Sequence, residues 1–317
     1  MREKTAFLFA GQGSQKTGMG KDFYEEYAEF KSIYDNLNLE FDIKKVSFDD
    51  PNNLLSSTCY TQPCMVAFAC GITEILRSNG VQTDYVCGLS LGEYSALYAA
   101  GVWSLEDTMK IIAARGQAME AASAGIDASM VAISSLSKEI VEECCRKANE
   151  AGVVSICNLN CPGQVVIGGE KKAVDLAAHF AKEAGSRRCI PLAVSGPFHT
   201  EYMKPAGEKL AAVLDKATFN KPNCEVLYNY LGGPNNFELE IKELLVNQIQ
   251  HTVRMQECIE YLISNDVKNY IEIGPGTVLA GFVRKTLKAQ NRNADEYSIV
   301  SINTVDEIKE IIEKYNA

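Results

Sequence analysis

The chain has 317 residues, of which 46% are hydrophobic and 23% are charged, so it can bury a large core and disorder is not expected. Its formal net charge of −10 argues against a nucleic-acid partner, because binding to phosphates requires an excess of Lys and Arg. The amino terminus has too short an apolar stretch for a signal peptide, and no run approaches the length of a membrane span, which predicts a cytoplasmic protein.

The first part of the chain alternates between strand and helix patterns. Residues 5–10 predict a short buried strand that ends at a glycine-rich turn. The elements that follow are a helix over 62–78, a strand over 84–87 and helices over 93–100 and 105–122. Pro63 is expected in the first turn of its helix, and Ser104 is expected to cap the last helix. Strands alternating with helices predict an α/β fold with a mainly parallel sheet.

The middle of the chain has a different order, β-α-β-β-α-β, which is typical of a ferredoxin-like fold. The predicted elements lie over residues 129–134, 138–151, 153–157, 164–168, 171–184 and 187–192. We therefore expect a small inserted subdomain over 126–193, within a large α/β catalytic domain formed by 1–125 and 194–317. A late strand over 270–273 and a terminal amphipathic helix over 306–315 belong to the large domain. The cleft between the two is the expected ligand site.

A G-x-S-x-G motif lies at residues 88–92, between a predicted strand and a predicted helix. This context favours Ser90 as a nucleophile, because a sharp strand-to-helix turn exposes the hydroxyl and the helix directs its free N–H groups at a developing oxyanion. A Gly-Ser turn that only connects two elements is the alternative.

A serine nucleophile requires a base, and the chain has three histidines. His179 falls within a predicted helix of the small subdomain, which favours a surface or packing role. His199 lies in a loop where the chain re-enters the large domain, and such loops line clefts. His251 remains a competitor on the sequence alone.

Arg115 shares one helical stripe with Ile111, Ile112 and Met119. An arginine on an apolar stripe is costly to bury without an anion, so it is either a substrate clamp or a side chain whose head reaches solvent or a protein carboxylate. The eleven cysteines contain no C-x-x-C pair and no zinc-type spacing with histidine, so no metal site is expected.

Six segments together resemble the malonyl-CoA:acyl-carrier-protein transacylase family of bacterial fatty acid synthesis. They occur in the family's order and span almost the whole chain: GLSLGEYSAL at 88–97, GQGSQ at 11–15, Arg115-Gly116, NCPGQVVIG at 160–168, residues 195–200 and Gly-Pro-Gly at 274–276. The resemblance implies a malonyl-serine intermediate formed by Ser90 with His199 as its base. It implies malonyl-CoA and acyl carrier protein as substrates, with no cofactor.

The resemblance also assigns supporting residues. The backbone N–H groups of Gln12 and Leu91 would form the oxyanion hole, and Arg115 would bind the malonyl carboxylate. Gln248 would steady the imidazole, although a solvent-facing helix residue is its alternative. Asn160 would line the acyl pocket, or else serve only the turn before Cys161 and Pro162. Bulky Phe198 favours malonyl over methylmalonyl groups.

One departure and several alternatives stay open. Leu89 occupies a position where the family more often has histidine, which leaves the polarity of the pocket in doubt. A polyketide-type carrier protein, a serine hydrolase of the α/β type and a non-catalytic carrier-binding protein are the alternative functions. We expect a monomer, and a basic cluster formed by Arg187, Arg188, Arg284, Lys285 and Lys288 is a candidate for docking an acidic carrier.

Overall fold

The computed structural model describes residues 2–194 and 196–316. The strands are β1 (Lys4–Phe9), β2 (Tyr85–Gly88), β3 (Ala128–Ser134), β4 (Val154–Cys161), β5 (Gln164–Glu170), β6 (Arg188–Pro191), β7 (Glu225–Tyr228), β8 (Gly233–Pro234), β9 (Val267–Ile273) and β10 (Ser298–Ile302). The helices of the first half are α1 (Lys21–Glu26), α2 (Ala28–Asp35), α3 (Ile43–Phe48), α4 (Thr58–Ser78), α5 (Gly92–Ala99) and α6 (Leu105–Ser123). Those of the second half are α7 (Lys138–Ala148), α8 (Lys171–Glu183), α9 (Lys204–Leu214), α10 (Ile241–Gln250), α11 (Met255–Ser264), α12 (Val278–Ala289) and α13 (Val305–Asn316).

The main sheet has the strand order β10-β9-β1-β2-β7-β8. Its first five strands are parallel, and β8 pairs antiparallel with β7 at one edge. β1 lies near the centre of the sheet, and its last five residues are buried because helices cover both faces. The carboxyl ends of β1, β2 and β7 therefore meet at one edge, where ligands bind in open α/β sheets.

Helix α4 passes beneath this sheet as a nearly fully buried helix, and it corrects one prediction. It begins at Thr58, four residues before the predicted start, so Pro63 lies inside the helix and not in its first turn. The Ser57 carbonyl accepts from Thr61 N, so the helical hydrogen bonds are already established before the proline. The predicted start is too late because proline is favoured at the first helical position, which indicates a helix that begins close to Pro63.

The second sheet is antiparallel and has the order β4-β5-β3-β6. Helices α7 and α8 pack on one of its faces around a core of their own. This order matches the predicted ferredoxin-like arrangement. The main-chain groups of Val253 join it to the rest of the molecule, since Val253 N donates to Cys157 O and Leu159 N donates to Val253 O, both at 2.8 Å.

The predicted fold class is confirmed: a mainly parallel sheet accompanies a separate antiparallel one. The domain limits at 125/126 and 193/194 stay predictions. The ends of the other elements differ from the prediction by a few residues; β4, for example, continues to Cys161 instead of ending at residue 157. None of the helices in residues 2–194 and 196–316 is long and apolar enough to span a membrane.

Candidate active site

The G-x-S-x-G segment, residues 88–92, forms the turn between β2 and α5, which we call the serine turn. Ser90 has a φ of 54°, a left-handed conformation that serine seldom adopts. Glycine is required on both sides of it because the backbone is crowded: a Cβ on Gly88 would lie 2.0 Å from the Gly92 carbonyl carbon, and one on Gly92 would lie 2.2 Å from the Phe9 carbonyl oxygen. The turn places Ser90 directly before α5, whose first N–H groups, those of Gly92 and Glu93, donate to the carbonyl oxygens of Leu89 and Ser90.

His199 lies next to the Ser90 hydroxyl. Its Nε2 is 2.7 Å from Ser90 Oγ, and its Nδ1 is 2.8 Å from the backbone carbonyl oxygen of Gln248. Because that carbonyl only accepts, Nδ1 carries the proton and Nε2 presents its lone pair to Ser90. Burial and, second, the positive charge of Arg115 lower the pKa of His199 to about 3, which keeps the imidazole neutral and able to accept a proton.

The other two histidines lie elsewhere. His251 is exposed at the end of α10, where its Nδ1 is 2.8 Å from the Asn247 carbonyl oxygen and its ring packs near Tyr230. His179 is exposed on α8, with Glu183 at 3.3 Å. The structure therefore brings His199, and neither competitor, to Ser90.

Arg115 is fully buried on α6 and extends into the same site. Its Nη2 donates to Ser90 Oγ and to Gln248 Oε1, both at 3.1 Å, and its guanidinium carbon lies 4.9 Å from the ring centre of Tyr94. Its Nε and Nη1 have no hydrogen-bond partner in the described part of the chain. Burial lowers the pKa of Arg115. A buried guanidinium with two free donors is costly by itself and is suited to an anionic ligand.

Gln248, near the end of α10, connects these groups. Its Nε2 donates to the Ser90 carbonyl oxygen at 2.8 Å, while its Oε1 accepts from Arg115. It contacts the imidazole of His199 through its backbone carbonyl and not through its side chain. Gln248 is fully buried, so the alternative of a solvent-facing helix residue is wrong.

A cavity of about 240 Å³ opens onto Ser90 between the two sheets. Gln12, Leu91, Asn160 and Phe198 line it together with Ser90, His199 and Arg115. Leu89 also lines it, and the Leu89 side chain lies against Gly11 in the turn after β1. Ser195, the first residue of the predicted 195–200 motif, lies outside the described residues. No group of three or more His, Cys, Asp or Glu among residues 2–194 and 196–316 is placed to hold a metal ion.

Several polar residues of the site were not predicted from the sequence. Gln62 and Asn158 line the cavity, while Glu93 and Asn229 are fully buried beneath the serine turn. Glu93 had a detectable signal, since it is a carboxylate at the start of an otherwise apolar helix. Asn229 had none, because it lies far along the chain in a segment with no recognisable motif.

Comparison with known proteins gives a consistent result. The family model described as an acyl transferase domain matches residues 6–308. The malonyl CoA-acyl carrier protein transacylase of Bacillus subtilis (strain 168) is 40% identical over 306 residues, covering 96% of this chain and 95% of the relative.

Two solved structures are similar over nearly their whole length. One is the malonyl CoA-acyl carrier protein transacylase of Clostridium perfringens, with a TM-score of 0.92 and 38% identity over 99% of this chain and 97% of that chain. The other is a malonyl-transacylase in complex with its type II polyketide acyl-carrier protein, with a TM-score of 0.89 and 32% identity over 98% of this chain and 99% of that chain.

Proposed function

Because this chain belongs to the acyl transferase family, we propose that it transfers a malonyl group from malonyl-CoA to the phosphopantetheine thiol of an acyl carrier protein. The transfer would proceed through a malonyl ester on Ser90 and supply fatty acid synthesis. We also propose that the enzyme is a cytoplasmic monomer in which residues 126–193 form a separate subdomain.

In the first half-reaction, His199 Nε2 takes the proton of Ser90 Oγ while that oxygen attacks the thioester carbonyl carbon. The negative charge on the tetrahedral oxygen would rest on the N–H groups of Gln12 and Leu91. The carbon–sulfur bond then breaks, and coenzyme A leaves with the proton from His199. The backbone carbonyl of Gln248 stabilises the imidazolium in the interval, because it accepts from Nδ1–H.

In the second half-reaction, the thiol of the carrier protein gives its proton to His199 and attacks the ester carbonyl. The carbon–oxygen bond to Ser90 breaks, and the serine oxygen recovers the proton. The two substrates balance both steps, so the proposal needs no cofactor.

The arrangement of Arg115 is the observation that carries this proposal. Its Nη2 lies 3.1 Å from the Ser90 hydroxyl, and its Nε and Nη1 have no hydrogen-bond partner among the residues that the structure describes. An acyl group that ends in a carboxylate would satisfy both donors, whereas an acetyl group would leave them buried and unpaired. A serine hydrolase acting on neutral esters would have no use for a cation there, which argues against that alternative.

The basic side chains predicted to dock the carrier fall into two exposed groups. Arg284, Lys285 and Lys288 lie on α12, and Lys285 Nζ donates to Gln164 Oε1 at 3.1 Å. Gln164 itself lines the cavity. This contact supports a docking surface beside the cavity mouth, where a phosphopantetheine arm could enter.

Intact-protein mass spectrometry after brief incubation with malonyl-CoA tests the proposal. We expect a single malonyl adduct on the unaltered protein and none on the Ser90→Ala variant. An adduct that persists in Ser90→Ala would exclude Ser90 as the nucleophile. Folded protein that takes no adduct from malonyl-CoA would contradict the proposed function.

The malonyl-enzyme can then be used to identify the carrier. One solved neighbour holds a type II polyketide carrier, so a polyketide carrier is the second candidate. Isolated malonyl-enzyme is mixed with a fatty-acid carrier protein or with a polyketide carrier protein, each bearing phosphopantetheine. Faster transfer to the fatty-acid carrier is expected, and the reverse order would favour the second candidate.

A further inference from the structure

The backbone of the serine turn is held by the side chain of Asn229, which the proposed reaction does not use. Asn229 follows β7 and is fully buried. Its Oδ1 accepts from Ser90 N at 2.7 Å, and its Nδ2 donates to the Gly88 carbonyl oxygen at 2.8 Å. One amide therefore binds the backbone on both sides of Leu89, directly before the serine, from a position 139 residues further along the chain than Ser90.

Asn229 is in turn fixed by Glu93. Its backbone N–H donates to Glu93 Oε2 at 2.7 Å, and Glu93 lies in the first turn of α5, fully buried. These hydrogen bonds form a closed circuit: Asn229, which follows β7, binds the serine turn after β2, and Glu93 on α5, the helix that follows this turn, binds Asn229. Asparagine suits this position because its side chain donates and accepts at once, which neither aspartate nor leucine can do.

The circuit matters because the conformation of Ser90 is unfavourable. A serine with a φ of 54° persists only where its surroundings hold it. The Ser90 carbonyl accepts from Gln248 Nε2 and the Ser90 N–H donates to Asn229, so both of its backbone groups are held by distant side chains. Without Asn229, two backbone groups would lose their partners inside the protein, and the turn could relax.

We propose that Asn229, anchored by Glu93, is a positioning residue that keeps the Ser90 hydroxyl on His199 during acyl transfer. The inference rests on the proposed function, since it takes Ser90 as the nucleophile. It predicts that Asn229 affects the rate of acylation and not the affinity for malonyl-CoA, because the turn is held from the side away from the cavity.

The test is rapid-quench measurement of malonyl-enzyme formation, together with kcat and KM, for Asn229→Ala and Asn229→Asp. Misplacing a reacting atom by about 1 Å costs about a hundredfold in rate, so we expect a loss of that order in Asn229→Ala, with KM within about threefold. Asn229→Asp keeps the acceptor for Ser90 N and loses the donor to the Gly88 carbonyl oxygen. Its acylation rate should therefore lie between those of the unaltered protein and Asn229→Ala. Asn235→Ala is the matched control, since the Asn235 side chain also donates to and accepts from one backbone segment, that of Leu239, away from the site.

Glu93 gives an independent arm of the test. Glu93→Gln keeps an oxygen that can accept from Asn229 N, so it should acylate within about threefold of the unaltered protein, whereas Glu93→Ala should lose about tenfold. Rescue by glutamine would identify the hydrogen bond as the cause. Equal losses in the glutamine and alanine variants would contradict the anchoring role.

Circular dichroism and thermal unfolding establish that each variant is folded. Folded Asn229→Ala that acylates within about twofold of the unaltered protein, or no worse than Asn235→Ala, would overturn the inference. If Asn229→Ala does not fold, an unaltered rate in Asn229→Asp overturns it. The proposed function fails separately, when folded protein takes no adduct from malonyl-CoA, whereas normal Asn229 variants with a Ser90 adduct would reject this inference alone.

Discussion

The two sheets form opposite walls of the same cavity, and the side chains on these walls differ in chemistry. The side of the parallel sheet supplies Ser90, His199 and Arg115, which are joined to one another by hydrogen bonds. The antiparallel sheet supplies apolar side chains and amides: Met130, Ala132, Val166, Asn158 and Asn160. On the side of the parallel sheet, where charge must change during the reaction, the side chains form a hydrogen-bonded network. On the side of the antiparallel sheet, along which the acyl group must pass, the wall is mostly apolar and makes few hydrogen bonds.

The two walls also differ in how they are fixed. Side chains of Asn229 and Gln248 bind both backbone groups of Ser90 in addition to main-chain bonds of the turn. The antiparallel sheet receives two main-chain bonds from Val253, which joins Cys157 and Leu159 to the other side. Backbone bonds persist when side chains are replaced. We therefore expect substitutions on the parallel-sheet side to change the chemistry, and those on the antiparallel wall to change binding by smaller amounts.

Among the substitutions that test this difference between the two walls, Arg115→Met is expected to change the acylation rate most. This variant keeps much of the side-chain volume and removes the cation, so malonyl-CoA should lose about a hundredfold in acylation rate. Acetyl-CoA should lose far less, because it has no carboxylate to pair, and the preference for malonyl over acetyl groups should collapse. Parallel acylation assays with both donors measure this ratio.

Arg188→Met is the matched control, because Arg188 is exposed at the start of β6. It should leave the donor ratio unchanged. An Arg115→Met enzyme that still prefers malonyl-CoA would show that another group binds the malonyl carboxylate. The proposed difference between the two cavity walls would then be wrong.

A smaller effect concerns pH, and it tests the state of His199. A lowered pKa means that the neutral base persists as the pH falls, so kcat/KM for malonyl-CoA should stay nearly level from pH 7 to pH 5. An imidazole with an ordinary pKa near 6.5 would lose about twenty-fivefold in its neutral fraction over this range. His251→Ala should leave the profile unchanged, since the His251 side chain is exposed and its Nδ1 lies at the Asn247 carbonyl oxygen.

Titration of Glu93 can also change kcat/KM with pH, and the Glu93→Gln variant separates its contribution from that of His199. Burial raises the pKa of Glu93 to about 7, so its carboxylate gains a proton as the pH falls below that value. A change in kcat/KM near pH 7 that disappears in Glu93→Gln would be due to the titration of Glu93. A fall in kcat/KM of about twenty-fivefold between pH 7 and pH 5 that remains in Glu93→Gln would contradict a lowered pKa for His199.

Much of the architecture and part of the site could be predicted from the sequence. Ser90 could be singled out because its two glycines and its strand-helix context are local features. The ferredoxin-like order could be read because both amphipathic helices and their strands are short and regular. Arg115 was detectable because a charge on an apolar stripe conflicts with burial.

The remainder depends on contacts between distant segments. His199 and His251 could not be separated by the sequence alone, since the choice between them is made by the folding of α10 against residues 196–200. Asn229 meets Ser90 only because β7 pairs with β2. The start of α4 was misplaced because Pro63 was expected in the first turn, whereas it lies inside the helix.

The smallest expected effect belongs to Asn160→Ala on the antiparallel wall. Asn160 is nearly buried on β4 and lines the cavity, and its Oδ1 has no hydrogen-bond partner within the described residues. An acceptor left free beside the cavity can take a donor from a bound thioester arm, and one such bond changes binding by about tenfold or less. KM for malonyl-CoA should therefore rise by about three- to tenfold while kcat stays within about twofold. Steady-state kinetics measure both constants, with Asn235→Ala as a control for loss of a structural amide. A large fall in kcat would mean that the antiparallel wall takes part in the chemistry, and the division of labour between the two sheets would then be wrong.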